Sequence, residues 1–167
     1  MRPVKGKPLI PLKTPFTTTD TIADYILWMC HRVGDLPTNW KLQKLVYYAH
    51  AWYIALYDRP LVDGEFQAWV HGPVHPALYS RFRGCGWDRI NYQPPKKPIL
   101  PPGVEKHINE VMDIYNKFTA WDLARMSHEE TPWREARGNI PESAPSKVAI
   151  RYDSIKKYYS ALIKQDV

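Results

Sequence analysis

Cysteine is scarce in this chain: Cys30 and Cys85 are the only two in 167 residues. At most one disulfide can form, so the fold must hold without a framework of bridges, and two thiols at no metal-like spacing suit a reducing compartment. Long apolar runs are missing as well. No window approaches the roughly 18 apolar residues that a membrane-crossing helix needs. The opening Met1-Arg2-Pro3-Val4-Lys5-Gly6-Lys7-Pro8 lacks the apolar core of a secretion signal. A cytoplasmic protein with no membrane partner is therefore expected. Glycine is sparse at 8 residues, and Gly84 and Gly86 have neither the spacing nor the preceding strand of a phosphate-cradling loop. Acidic residues are the minority, 17 against 23 Lys and Arg, giving a net charge of +6 and a pI near 9.3. Such a surface favours anionic partners without choosing among nucleic acid, acidic protein and anionic lipid.

What the chain does have is aromatic and proline residues: 7 Trp, 11 Tyr, 4 Phe and 16 Pro. Trp and Tyr bury large areas and keep a polar tip, which suits both cores and interfaces. The length fits one domain, able to remove roughly 70% of the unfolded chain's surface on folding. Residues 1–17 read as a basic, proline-containing arm and 18–167 as a helical domain. Five prolines between 91 and 103 make a stiff internal loop.

The periodicity predicts a mainly α, compact single-domain bundle with a small β element. Thr19 or Asp20 caps a first helix that carries Ile22, Tyr25, Ile26, Met29 and Val33 on one face and ends at Gly34. Thr38 caps a second, whose apolar stripe is Leu42, Leu45, Ala49, Trp52, Tyr53 and Leu56, with Lys41, Gln43, Lys44, Tyr47, Tyr48 and His50 on its flanks. Residues 65–70 alternate as a short strand that buries Phe66, Ala68 and Val70, after which Gly72-Pro73 turns the chain. Pro76 opens a short helix through Tyr79 and Phe82. Further helices are expected from Val104 to Tyr115, after Thr119, after Thr131-Pro132 and after Asp153. A second short strand is expected at 148–150.

Chemistry-bearing constellations are thin. His71 and His75 are four apart, but Gly72-Pro73 breaks the helix that would let them share a metal. Cys85 lies among Arg81, Arg83 and Arg89, yet no base is placed for it. Ser127-His128-Glu129 are triad residue types in a row, whereas triads assemble from distant segments. No catalysis, metal or cofactor is expected. The stretch 79–97 interleaves cations with Tyr79, Phe82, Trp87 and Tyr92, a mixture that nucleic-acid-binding surfaces use. It lacks any reading motif, so weak, unspecific binding on the order of 10 to 100 μM is the expectation, and a nucleic-acid regulator remains the alternative function.

Three segments carry a resemblance: Lys41-Leu42-Gln43-Lys44-Leu45-Val46-Tyr47-Tyr48-Ala49, then Gln67-Ala68-Trp69-Val70-His71-Gly72-Pro73-Val74, then Ser127-His128-Glu129-Glu130-Thr131-Pro132-Trp133. In this order they resemble the Panacea, or SocA-like antitoxin, domain over about residues 19–163. The resemblance implies a mainly helical fold and an antitoxin that neutralises an adjacently encoded protein toxin by direct contact. It implies toxins that are chemically diverse, several of them alarmone-synthetase-like enzymes that modify tRNA, and it leaves occlusion and delivery to a protease both open. Some members carry a further DNA-binding domain, for which the residues before the first helix are too few. Within the motifs, Lys41, Leu42, Leu45, Gly72, Pro73 and Trp133 read as structural. Trp69 and His71, facing away from Phe66 and Ala68, lead the candidates for partner contact, followed by Tyr79, Arg81 and Arg83 and, more weakly, Lys44 and Tyr48.

Overall fold

The computed structural model describes residues 15–165. The first fourteen residues of the expected arm lie outside them. Pro15 to Thr17 are held: the Phe16 and Thr17 amides donate to the carbonyls of Pro60 and Leu61, and the Phe16 ring stacks on Tyr53. Among the described residues there are seven helices: α1 (Thr19–Val33), α2 (Asn39–Tyr57), α3 (Pro76–Arg81), α4 (Val104–Tyr115), α5 (Ala120–Glu129), α6 (Thr131–Arg137) and α7 (Tyr152–Gln165). One antiparallel hairpin, β1 (Gln67–Trp69) and β2 (Gly72–Val74), completes the set. The architecture is mainly α, as the periodicity predicts.

Local chemistry places the ends. Thr18, one residue ahead of the expected cap, accepts the Thr21 amide at 3.1 Å, and Gly34 closes α1 at φ 74°. Thr38 caps α2 by accepting the Lys41 amide at 3.1 Å. Thr119 and Asp122 exchange bonds in a reciprocal capping box that starts α5. Glu130 holds the N-cap position of α6 without a side-chain cap bond, and Thr131 is already helical ahead of Pro132.

α2 is the axle of the fold. It packs against α1, α4, α5, α7 and the hairpin, so its flanks are as buried as its stripe. Gln43, Tyr47 and Tyr48 are no more than 1% exposed, whereas Leu56 at the end of the stripe is 50% exposed. Over its middle turns a helix so surrounded has no solvent face, and its polar flank residues are satisfied by hydrogen bonds instead. Asn39 donates to the Tyr79 carbonyl, Gln43 donates to Asn39, and the His75 amide donates to Gln43 at 2.9 Å. His75 in turn caps α3, its Nδ1 accepting the Leu78 amide while Nε2 donates to the Asp63 carbonyl at 2.8 Å. On the far side Tyr48 and Tyr159 donate to the two oxygens of Glu130 at 2.8 and 2.7 Å, and burial pushes that carboxyl up to about 7.

The hairpin differs from the expected strand and turn. Gly72 and Pro73 are strand residues, paired with Trp69 and Ala68, and the turn is Val70-His71. Val70 is therefore half-buried rather than part of the inward-facing set. Pro73 is tolerated because its partner Ala68 directs its own backbone elsewhere: the Ala68 amide goes to Val148 and its carbonyl accepts from Arg137 at 2.9 Å. Residues 148–150 thus flank β1, through a bridge at Ala149 and the Ile150 amide on Phe66. Gly72 has φ 105° and no room for a side chain, since a Cβ there would lie 2.6 Å from Lys44 Cε and 2.7 Å from Ser127 Oγ.

Candidate partner-binding surface

The Val70-His71 turn carries His71 to the surface, where the indoles of Trp40 and Trp87 pack against it and that of Trp121 lines the same groove. Trp40 comes from the first turn of α2. Its ring lies 5.3 Å from His71, 5.2 Å from Tyr79 and 5.2 Å from Trp87, the last pair stacked at 26°. Trp87 follows a short 3-10 turn (Arg83–Cys85), and the next residues strap that segment to the start of α2. Ile90 is buried and its amide donates to the Pro37 carbonyl at 2.7 Å, while Arg89 bridges to Thr38. Trp121 stands at the N-terminal end of α5, off the face that buries Leu123, Ala124 and Ser127. Trp87 is 71% exposed and Trp121 67%, a large apolar area for two side chains that belong to no core.

Between these walls runs an apolar groove of about 260 Å³, lined by Thr38, Trp40, Lys44, His71, Trp87, Ala120, Trp121 and Ala124. A second groove of about 350 Å³ shares Trp40 and His71 and continues along Trp69, Val70 and residues 145–147. Lys44 forms the floor of the first. Its stem passes beneath Gly72, its Nζ donates to the Pro73 carbonyl at 3.1 Å, and it lies 5.8 Å from the centre of the Trp40 ring. Burial brings its ammonium down to about 7.

The structure gathers some of the sequence-nominated residues and separates others. Trp69, His71 and Tyr79 share one patch: Trp69 packs 5.0 Å from Tyr79 and donates to Gln67. Arg83 is exposed over the Tyr79 ring. Arg81 instead pairs with Asp20 at 3.1 Å and Asp24 at 2.6 Å and covers Phe82 and Tyr92, tying α3 to α1. Lys44 and Tyr48, placed on an outer flank by the periodicity, are both buried. Lys44 reaches a groove only from below, and Tyr48 belongs to the Glu130 network. Of the motif residues read as structural, Leu42 and Leu45 are in the core, Lys41 donates to the Asn116 carbonyl at 2.6 Å, and Gly72 and Pro73 form β2. Trp133 is buried, stacks on His128 and donates to the Trp69 carbonyl at 2.9 Å.

None of the three indoles was among the residues expected to contact a protein partner: Trp40 and Trp121 were not singled out, and Trp87 entered only through the basic aromatic stretch 79–97. The available signal was negative: each falls outside the apolar stripe of its own segment. Among the described residues no group of three or more His, Cys, Asp or Glu lies close enough to hold a metal ion. No helix of the described residues is long and apolar enough to cross a membrane. The basic stretch 79–97 has much of its charge matched internally, since Arg81, Arg89 and Lys97 all pair with acids.

Among the described residues, the helical scaffold presents adjoining grooves walled by exposed aromatic side chains, a form suited to binding a partner. Comparison with known families specifies the class: the chain belongs to the family of SocA-like antitoxins with a Panacea domain, whose model matches residues 42–134. That span contains the hairpin, Lys44, Trp87 and Trp121, with Trp40 just ahead of it. Among characterised proteins the chain is similar to antitoxin SocA of Caulobacter vibrioides (strain NA1000 / CB15N), 37% identical over 112 residues. The match covers 59% of this chain and 60% of that relative, so it spans about three fifths of the relative's length. No solved structure matches the chain.

Proposed function

We propose that this chain is an antitoxin that neutralises a toxin encoded beside it by direct protein–protein contact, and that the toxin docks on the aromatic groove. The observation that carries the reading is the cluster of Trp40, His71, Trp87 and Trp121 on a rigid frame. Tryptophan is the residue most enriched among binding hot spots. An exposed apolar patch held in place by buried hydrogen bonds needs little ordering on binding. Family membership supplies the class of partner. Trp69, Tyr79 and Arg83 extend the surface, and Arg81 supports it through α1.

An alarmone-synthetase-like enzyme acting on tRNA is the toxin class to look for first in the adjacent reading frame. Co-expression tests the reading. Cells producing that adjacent product should stop growing, the wild-type chain should restore growth, and Trp87→Ala together with Trp121→Ala should fail to restore it at equal abundance. Full rescue by the double variant would move the interface elsewhere. Toxin levels that stay constant in rescued cells indicate occlusion, whereas levels that fall and recover in a protease mutant indicate delivery. The ion pairs inside the basic stretch weigh against the nucleic-acid alternative, because matched cations have less charge to offer phosphates.

A further inference from the structure

The groove ends on a buried cation that lacks a counter-charge. Lys44 is 1% exposed. An ammonium has three donors, and among the described residues the hydrogen bond its Nζ makes is the one to the Pro73 carbonyl. No carboxylate of the described residues pairs with it. The titratable groups near it are His71 at the lip of the groove and His128 on α5, neither of which is anionic. A buried charge is stable when an anion meets it, and otherwise its proton is held weakly. The groove above Lys44 is walled by Trp40, Trp87 and Trp121 and opens to solvent, so a ligand lying in it can bring an anion toward that ammonium.

We propose that the groove receives an acidic side chain set within an apolar segment of the partner protein, with the carboxylate docking on Lys44 Nζ and the flanking apolar residues lying between Trp40, Trp87 and Trp121. The adjoining groove argues for a protein segment over an isolated small acid. It continues the trough past His71 and Trp40 toward Lys147, offering length and a second cation to an acidic–apolar stretch. Gly72 fits this role: the absent side chain lets Lys44 pass beneath the hairpin to the groove floor. The identity of the partner rests on the antitoxin reading; the chemistry of the groove does not.

The test uses the full chain labelled with 5-fluorotryptophan and two small probes of one shape, 4-phenylbutyrate and 4-phenylbutan-1-ol, titrated at pH 6.5 by fluorine NMR. The carboxylate should move the Trp40, Trp87 and Trp121 resonances with a dissociation constant at least about tenfold below that of the alcohol, as a charge-assisted bond in an apolar groove should give. Lys44→Met should bring the two probes to equal affinity. Equal binding of acid and alcohol by the wild-type chain, or a preference surviving in Lys44→Met, overturns the proposal. Should Lys44→Met not fold, the wild-type chain at pH 9.5 decides: the preference should vanish as Lys44 gives up its proton, and its persistence overturns the proposal. In cells, the wild-type chain rescuing where Lys44→Met does not supports the inference, and equal rescue overturns it. Failure of the wild-type chain itself to rescue sinks the antitoxin reading instead, and the probe titration still decides the groove.

Discussion

Replacing Lys44 with methionine should change the stability of the chain in opposite directions at low and high pH. Unfolded, the ammonium titrates at its ordinary 10.5, and in the folded chain burial lowers this to about 7. The folded value is depressed, so between pH 7 and 10.5 the unfolded state binds more protons and stability rises with pH. Below pH 7 the group is charged in both states, and at about 1.4 kcal/mol per pH unit the gap costs the folded chain about 5 kcal/mol. Methionine removes that cost but leaves the Pro73 carbonyl without its donor, a loss of about 1 to 3 kcal/mol for a buried acceptor. The variant should therefore be more stable than the native chain by roughly 2 to 4 kcal/mol at pH 6 and less stable by about 1 to 3 kcal/mol above pH 10, crossing near pH 9. Urea unfolding at pH 6, 8 and 10 measures the difference directly. A variant equally destabilised at all three values would refute the reasoning, because Lys44 would then hold its proton comfortably in the isolated chain.

Gly72→Ala should cost about 2 to 4 kcal/mol, from a positive φ and a Cβ pressed into Lys44 and Ser127, and lower the melting temperature by roughly 5 to 15 °C. Glu130→Gln probes the opposite linkage. The folded carboxyl is raised from 4.5 to about 7, so the native chain loses stability as pH rises through that window. The stability of the variant relative to native should accordingly grow by about 3 kcal/mol between pH 4 and 8 in urea titrations, and a constant difference would contradict the network. Arg137 is 3% exposed and donates to the carbonyls of Ala68, Pro141, Glu142 and Ala144. Lysine lacks the planar fork that reaches them together, so Arg137→Lys should cost about 3 kcal/mol or more and speed hydrogen exchange at Ala68 and Ile150.

Local signals in the sequence were legible where local chemistry decides. The caps at Thr38 and Thr119, the closing Gly34, and the start of α3 at Pro76 follow from short-range hydrogen bonding and backbone freedom. Period alone could not show that α2 is surrounded. Its polar residues read only as flanks of the apolar stripe, yet Gln43, Lys44 and Tyr48 find partners 29 to 82 residues away. Gly72-Pro73 carried turn-like composition for a different reason, since the glycine is required by the approach of Lys44 rather than by a reversal of the chain. The aromatic groove was hidden in the same way: Trp40, Trp87 and Trp121 are separated by long stretches of sequence and meet only through the strap at Ile90 and the docking of α5. Trp69, His71 and Tyr79 were findable because one hairpin and the helix after it carry all three.

The most direct test of the account is the affinity of the purified chain for the product of the adjacent reading frame, measured by calorimetry with wild-type protein and with the Trp87→Ala, Trp121→Ala double variant. Both residues are largely exposed and outside the core, so the melting temperature of the variant should match wild type. Loss of a hot-spot pair predicts at least about 2 kcal/mol, or about thirtyfold, weaker binding. A double variant that binds as tightly as wild type, or a wild-type chain that forms no complex, would contradict the claim that this groove is where the toxin is held.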